Sequence, residues 1–438
     1  MSPLQLGALV ALALVLVLLT GAPVAFSLGA VAVVFLLIFE GPGSMTVVAQ
    51  TLFAGLNDFT LLSIPMFILM GAAVASSHAG SDLYEALERW LCRVPGGLLI
   101  SNLGACAVFA ALSGSSPATC AAIGKMGIPE MKNRGYPDSL ATGAIAAGGT
   151  LGILIPPSVT MIVYGIATET SIGRLFIAGI LPGLMLTALF MAWSLYYAHR
   201  SGKQLRITDL RYSLRQKLEI LPKILPFLTI IVLVLWALYG GVATPSEAAG
   251  VGAFFSITLV VLIYRIWHVK TLWEILRSAT RESVMIMLII ATAALFSYMM
   301  SSLYITQSLA EWIAAMDVNR WLLLLYTNLF LLVAGLFLPP VAVILMTAPA
   351  LVPIIEQAGF DPLWFGVVLT INMEIGLITP PVGLNLYVIN GIAPDIKLQT
   401  ILWGALPFML CMILGIFLLA LFPDIATWLP DHLMGQRR

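Results

Sequence analysis

The sequence predicts an all-α polytopic membrane protein made of two inverted repeats, each with five membrane crossings and one re-entrant hairpin. Three observations lead to this prediction. The composition is too apolar for a water-soluble fold, ten segments are long enough to cross a bilayer, and Gly and Pro residues recur at a fixed spacing in the two halves.

Composition identifies membrane lipid as the main surroundings of the chain. Of 438 residues, 60% are hydrophobic and 10% are charged, whereas soluble domains carry about 25% charged residues. A soluble fold of this length cannot bury so much apolar surface. The net charge is zero, which gives no sign of a nucleic-acid partner. The four Cys and four His residues are scattered, without the spacing of a metal site.

Ten segments have the length and hydropathy of a membrane crossing, which needs about 20 apolar residues. They lie near 4–20, 23–39, 60–77, 139–167, 174–198, 222–239, 244–266, 283–304, 363–393 and 400–422. Residues 98–112 and 118–128 are shorter arms around a polar turn at 113–117, which predicts a hairpin that enters and leaves on one side. Residues 322–338 and 341–355, divided by Pro339 and Pro340, are a second candidate hairpin, whose longer arms leave the assignment open.

The distribution of basic residues supports this count. With the N-terminus outside and both hairpins returning to their own side, 17 of the 21 Lys and Arg residues fall on the cytoplasmic side. Only Arg174, Arg320, Arg437 and Arg438 fall outside, which is a strong positive-inside bias. The bias predicts that both termini lie outside. The first apolar run has no basic segment before it, so we interpret it as a retained span rather than a signal peptide.

An internal repeat is clearest between 129–157 and 353–381. At a constant offset of 224, Gly or Pro coincides at five positions, which include the pairs Pro156–Pro157 and Pro380–Pro381. Since each half has an odd number of crossings, the second half must be inverted, as in many secondary transporters. We assign 1–200 to the first repeat, 201–221 to a cytoplasmic amphipathic arm and 222–438 to the second repeat, with 267–282 resembling a shorter arm.

One crossing of each half is interrupted by glycines followed by two prolines, at 148–158 and at 372–383. Proline removes a helix donor and clashes with the preceding turn, so the helices near 139–167 and 363–393 should break inside the membrane. Lipid cannot satisfy the freed carbonyls, so each break should face protein or a wet cavity, where Na⁺ and anionic groups bind. A proline kink without a ligand would explain one break. Two equivalent breaks, each beside a hairpin near 98–129 or 322–355, favour binding.

The first hairpin tip supplies hydroxyl groups from Ser113, Ser115, Ser116 and Thr119. Hard cations prefer oxygen ligands. A turn that merely caps two helices is the alternative, but a polar turn at membrane depth favours a Na⁺ and substrate role. Glu374 is the one carboxylate placed deep in a predicted span, which makes it either a functional group or a simple pair-former.

Three stretches, 110–119, 147–158 and 376–385, closely resemble the large membrane subunit of the tripartite ATP-independent periplasmic (TRAP) transporters, and 63–71 resembles the third span of that family. The resemblance extends over nearly the whole chain. It implies an elevator-type Na⁺ symporter of the bacterial inner membrane. It also implies two partners as separate chains: a small four-helix membrane subunit and a periplasmic binding protein that delivers an organic acid.

We therefore expect one Na⁺ site between the first tip (113–116) and the first break (149–152), another between the second tip (335–340) and the second break (372–379), and the substrate between the tips. The expected Na⁺ ligands are Ser113, Gly114, Ser115, Gly149, Thr150, Gly152, Gly335, Asn372, Gly376 and Thr379. The expected substrate contacts are Ser116, Pro117, Pro157, Thr379, Pro380 and Asn385. The second tip departs from the family, because 336–340 reads Leu-Phe-Leu-Pro-Pro where an acidic residue often stands.

The nearest alternative is a Na⁺- or H⁺-coupled carboxylate or ion symporter of related fold that works without a binding protein. An intramembrane enzyme would need a nucleophile with His or paired Asp inside the spans, and the sequence places no such pair there. The sequence also has no Walker motif, so ATP coupling within this chain is not expected. A passive channel is a weaker alternative, which saturable uptake against a gradient would exclude.

Overall fold

The computed structural model describes residues 1–92, 94, 96–200, 212–315 and 319–435, and these residues form 21 α-helices. The first ten are α1 (Pro3–Leu19), α2 (Val24–Phe39), α3 (Ser44–Leu56), α4 (Ser63–Ala75), α5 (Ala79–Leu91), α6 (Gly97–Ser113), α7 (Ser116–Asn133), α8 (Asp138–Thr150), α9 (Val159–Ala167) and α10 (Ile172–Arg200). The others are α11 (Leu214–Glu219), α12 (Leu221–Tyr239), α13 (Pro245–Tyr264), α14 (Val269–Ser302), α15 (Ile305–Ala315), α16 (Arg320–Phe337), α17 (Pro340–Gln357), α18 (Pro362–Leu377), α19 (Leu384–Ile392), α20 (Leu398–Leu421) and α21 (Asp424–Met434).

Local sequence signals set several helix ends. Thr244 accepts a hydrogen bond from the Glu247 N–H and the Glu247 side chain bonds back, which forms a capping box at the start of α13. Asp361 caps α18 directly before a proline at the first helical position, where the missing N–H is not needed. α6 ends at Gly114, whose φ of +58° lies in the left-handed region that favours glycine. These signals operate before any tertiary contact forms.

The order of helices repeats in the two halves. α7 and α17 begin and end 224 positions apart, and α6 and α16 end at the same offset. The helix breaks repeat as well: α8 and α9 are separated by a 3₁₀ turn at Leu151–Ile153 and the non-helical residues 154–158, and α18 and α19 by residues 378–383. The repeat seen in the sequence therefore coincides with the boundaries of the helices. The inverted orientation of the second half stays a prediction.

The two halves interlock rather than lying side by side. α13 of the second half packs against α4 of the first, and α2 of the first packs against α14 of the second. Helices of opposite halves also pack together near the breaks, where α19 packs against α7 and α17 packs against α9. Each hairpin thereby contacts the broken helix of the other half, which brings residues far apart in sequence to one place.

Among the described helices, seven are long and apolar enough to cross a membrane: α10, α12, α13, α14, α16, α17 and α20. α3 together with residues 59–75 would form one more crossing, bent by 56°. α1, α2, α6 and α18 are apolar but shorter. Helices occupy all ten predicted crossings, and the number that span the bilayer stays a prediction.

One region differs from the sequence prediction, and another is only partly described. Residues 267–282 were expected to form a separate surface arm, but from Val269 onward they belong to the 34-residue helix α14. No Gly or Pro interrupts 269–302, so the basic segment and the following crossing continue as one helix. Of the arm expected at 201–221, residues 201–211 lie outside the described part of the chain, and Leu214–Glu219 forms the short helix α11.

Candidate ion and substrate site

The first hairpin tip concentrates oxygen atoms in a buried turn. The hydroxyl of Ser113 lies 2.8 Å from that of Thr119, and the Thr119 hydroxyl donates to the Ser115 carbonyl at 2.9 Å. Ser113 and Thr119 are both buried. Two hydroxyls and one carbonyl thus point toward one another, and oxygen atoms are the ligands that hard cations prefer.

The tip touches the first helix break through backbone atoms. A Cβ at Gly152 would lie 2.6 Å from the Ser115 carbonyl oxygen, and a Cβ at Gly114 would lie 2.8 Å from the Pro157 carbonyl oxygen. Both distances are shorter than real Cβ contacts, so glycine is required for this approach. The structure therefore brings together four residues of the predicted first Na⁺ site, Ser113, Gly114, Ser115 and Gly152, with Pro157 beside them.

A third backbone reaches the same tip from α4. A Cβ at Gly71 would lie 2.3 Å from the Ser113 carbonyl oxygen. Gly71 was not among the predicted site residues, although it closes the stretch 63–71 that resembles the third span of the family. Its signal in the sequence was a glycine in an otherwise regular apolar helix, which often marks a close backbone approach.

The second hairpin also meets the second break through backbone atoms. A Cβ at Gly376 would lie 2.5 Å from the Gly335 carbonyl oxygen, and the Val382 N–H donates to the Leu336 carbonyl at 3.2 Å. Gly335 and Gly376, both predicted, are therefore in contact. Gly376 and Gly152 are 224 positions apart, but their contacts differ in register, since Gly335 corresponds to Ala111 rather than to Ser115.

Polar groups deeper in the second half lack full hydrogen bonding. Asn372 Nδ2 donates to Asn328 Oδ1 at 2.7 Å, but no described residue bonds Asn372 Oδ1. Glu374 is fully buried, and neither of its carboxylate oxygens has a hydrogen-bond donor among the described residues. An ionised carboxylate in such surroundings is costly unless a cation pairs with it. Sequence reasoning missed Asn328, which sits in an apolar helix with no motif around it.

One hydrogen-bond network joins the two halves at the first tip. Asn385 Nδ2 lies 2.8 Å from Ser116 Oγ and 3.0 Å from the Ala146 carbonyl oxygen, and the Ser116 hydroxyl is also 3.1 Å from Asn385 Oδ1. Asn385 and Ser116 are fully buried. Both were predicted as substrate contacts, and the structure shows that they bond to each other across 269 positions of sequence.

Other predicted residues lie apart from the tips. Gly149 faces Cys120, Thr150 donates to the Ala147 carbonyl within its own helix at 2.6 Å, and Pro380 is exposed. Thr379 donates to the Ile375 carbonyl at 2.6 Å, and its hydroxyl also lies 3.6 Å from the sulfur of Met409 on α20. The structure thus brings the backbone of the second break to the second tip, but not the Thr379 side chain.

A cavity of about 470 Å³ contains both tips, with residues 113–118 on one side and residues 339–341 on the other. Helices α4 and α14 and residues beside both breaks complete its wall. Of the predicted substrate contacts, Ser116 and Pro117 line this cavity, whereas Pro157, Thr379, Pro380 and Asn385 lie outside it. The volume is that of a typical small-molecule site, which is mostly apolar with a few placed polar groups.

Paired hairpins that meet paired helix breaks around a cavity define a membrane transporter. The model of the family described as "Tripartite ATP-independent periplasmic transporter, DctM component" matches residues 11–425. The chain belongs to this family and is the large permease of a TRAP transporter, not an enzyme.

Two relatives and one solved structure are similar to this chain over most of its length. It is 39% identical over 407 residues to the C4-dicarboxylate TRAP transporter large permease protein DctM of Pseudomonas aeruginosa, which covers 93% of this chain and 94% of that protein. It is 32% identical over 410 residues to the isethionate TRAP transporter permease protein DctMQ of Oleidesulfovibrio alaskensis, which covers 94% of this chain and 64% of that protein. The Alcanivorax borkumensis YdaH transporter has the same fold, with a TM-score of 0.61 at 16% identity over 91% of this chain and 90% of that chain.

Proposed function

We propose that this permease performs Na⁺-coupled secondary uptake of an organic acid that a periplasmic binding protein delivers. The proposal rests mainly on the first tip, where the oxygens of Ser113, Ser115 and Thr119 gather and Gly152 approaches them at backbone distance. Oxygens that gather at one buried point can exchange their hydrogen bonds to one another for a bound cation, because hard cations prefer oxygen ligands.

Na⁺ coupling has a simple electrical reason. Moving one anionic charge into a cell that is negative inside costs about 2.3 kcal/mol per 100 mV. Entry of two or more Na⁺ with each monoanionic substrate reverses the sign of the transported charge. The two tip-to-break contacts, at Gly152 and at Gly376, offer one Na⁺ site each.

We further propose that the hairpins and broken helices move together as one body, in an elevator mechanism. The network of Ser116, Asn385 and Ala146 connects the first hairpin to both broken helices. Lys132 of the first hairpin also forms an ion pair with Asp395, which follows the second broken helix. Helices α2, α4, α13 and α14, which pack in two reciprocal pairs, would form the static part.

Two further chains complete the proposed transporter in the bacterial inner membrane. The DctMQ relative extends beyond the part that this chain matches, which is consistent with a permease whose small membrane component is fused to the large one. We propose that the small four-helix subunit is a separate chain here and that both termini of the large subunit face the periplasm, as the positive-inside bias predicts.

The direct test is uptake by proteoliposomes that contain this chain, the small subunit and the binding protein. The probe is the radiolabelled organic acid that most raises the melting temperature of the binding protein. Uptake should require an inward Na⁺ gradient and should stop when choline replaces Na⁺. Equal uptake in choline would refute Na⁺ coupling, and equal uptake without the binding protein would instead favour a binding-protein-independent symporter.

A further inference from the structure

The two hairpin tips occupy equivalent positions but differ in chemistry. Because α7 and α17 begin 224 positions apart, Gly114, Ser115 and Ser116 correspond to Leu338, Pro339 and Pro340. The first tip has hydroxyl groups that donate hydrogen bonds to a carboxylate. The second has none, since neither proline has an N–H and the Leu338 N–H already bonds the Ala334 carbonyl at 3.0 Å.

Both tips line the same cavity, and the remaining wall is largely apolar. Its large apolar side chains include Ile68, Val159, Met285, Ile286, Val341 and Leu384. Among the described residues around it, the only charged ones are Glu274 and Glu282 of α14. The wall therefore holds no Lys, Arg or His within the described ranges, and its ionisable groups are acidic.

This arrangement can hold one carboxylate but not two. A first carboxylate finds a hydroxyl donor at Ser115, beside a proposed Na⁺ site, whereas the Ser113 hydroxyl already bonds Thr119. A second carboxylate would meet either the apolar residues 339–341 or helix α14, where the hydroxyls of Thr271 and Ser278 lie only three or four positions from Glu274 or Glu282. It would lose hydrogen bonds with water in the first place and be repelled in the second. An apolar group in the same place is removed from water at no such cost.

We propose that the substrate is a monoanionic carboxylate with a branched or aromatic apolar body, and that the cavity disfavours dicarboxylates. The carboxylate binds at the first tip, and the apolar body packs against Pro339, Pro340 and Val341 of the second. This proposal rests on the proposed function, since it specifies the organic acid that the same site takes.

An isosteric pair of probes tests the proposal directly. 4-Methylpentanoate and succinate share one carboxylate and two methylene groups and differ in an isopropyl group against a second carboxylate. Ala75, which lines the cavity, is changed to Cys on a Cys411→Ala background. Its labelling by a water-soluble maleimide is then measured in the complex of large and small subunits in NaCl. Ser278→Cys on the opposite wall is an independent reporter, and the exposed Asn57→Cys is the control outside the cavity.

4-Methylpentanoate should slow labelling of Ala75→Cys and Ser278→Cys at a concentration about tenfold lower than succinate, with Asn57→Cys unaffected. Equal or better protection by succinate, or no protection by either probe, would overturn the proposal. Copying the first tip onto the second, by Leu338→Gly with Pro339→Ser and Pro340→Ser, should reduce the preference by a factor of several. An unchanged preference would also count against it.

The result of this labelling experiment can be distinguished from the result of the uptake test of the proposed function. If succinate protects better while uptake of the binding protein's acid still requires Na⁺, only the substrate class is wrong. If 4-methylpentanoate protects as expected but uptake proceeds equally in choline, the coupling claim fails and the substrate class stands.

Discussion

Replacing Gly152 by alanine tests the contact between the first tip and the first break. The added Cβ would lie 2.6 Å from the Ser115 carbonyl oxygen, whereas ordinary contact begins at 3.4 Å. The tip and the break must therefore separate by about 0.8 Å, and overpacking of this kind costs about 1–3 kcal/mol. If the cost falls on the Na⁺-bound state, Na⁺ affinity drops by roughly 5- to 150-fold.

Thermal unfolding of the purified chain measures this loss. At a Na⁺ concentration of about 100 times the wild-type Kd, bound Na⁺ stabilises the folded state by about 2.7 kcal/mol relative to choline. If Gly152→Ala raises the Kd about 100-fold, the same concentration equals the new Kd and stabilises by only about 0.4 kcal/mol. The Na⁺-dependent shift in melting temperature should then nearly disappear.

Two other glycines provide matched controls. Gly250 of α13 has nothing within 4 Å of an added Cβ, so Gly250→Ala should leave the Na⁺ response unchanged and, as a change from Gly to Ala inside a helix, should raise stability by up to about 1 kcal/mol. Gly143 is as crowded as Gly152, with an added Cβ 2.1 Å from the Gly404 carbonyl carbon, but it faces α20 rather than a tip. Gly143→Ala should lower stability in both salts and keep the Na⁺ response. A full Na⁺ response in Gly152→Ala would refute the reasoning.

Three further predictions concern the second half. Asn385→Ala should lower the free energy of unfolding by about 1–3 kcal/mol, because it leaves the buried Ser116 hydroxyl without its partner. Thermal unfolding measures this loss. If the bond exists, the effects of Asn385→Ala and Ser116→Ala should not add, and additive effects would contradict it. Gly376→Ala should raise the Na⁺ concentration for half-maximal uptake by roughly 5- to 150-fold, since its Cβ would lie 2.5 Å from the Gly335 carbonyl oxygen. An unchanged concentration would show that the second tip does not take part in Na⁺ binding. Glu374→Gln should change the free energy of unfolding by less than about 1 kcal/mol, because no hydrogen bond of the carboxylate is lost; a larger loss would reveal a partner of the charged form.

The sequence contained enough to locate the two tips and the two breaks. Gly and Pro act through the backbone of their own segment, so a shared offset of 224 predicts repeated helix ends without any knowledge of packing. The ends of α7 and α17 follow that offset. Gly152 and Gly376 were identified for the same reason, and each faces a tip.

Side-chain direction and contacts between segments could not be obtained in this way. Thr379 lies within the second break, but its hydroxyl bonds back to the Ile375 carbonyl at the end of α18, and the motif does not say whether a Thr hydroxyl bonds back in this way or points to a ligand. The bond between Ser116 and Asn385 joins residues 269 positions apart, and no local pattern predicts which residues of the two halves will meet.

A different error concerns α14, which the sequence analysis divided into two elements. Its basic first part and its apolar second part read as a surface arm and a crossing, because composition changes within it. Helix propensity does not change, as 269–302 contains no Gly or Pro. A change in surroundings along a helix is therefore not a helix boundary, and Glu274 and Glu282 of the cavity wall were missed for this reason.

Binding of ²²Na⁺ to the purified chain tests the central claim most directly. Thr119→Val removes the hydroxyl that bonds both Ser113 and the Ser115 carbonyl and keeps the side-chain shape. Thr347→Val of α17 is the control, since the Thr347 hydroxyl bonds the Val343 carbonyl of its own helix and no other described residue. The account predicts about tenfold weaker ²²Na⁺ binding in Thr119→Val and wild-type binding in Thr347→Val. Wild-type binding in Thr119→Val would show that Na⁺ does not bind at the first tip.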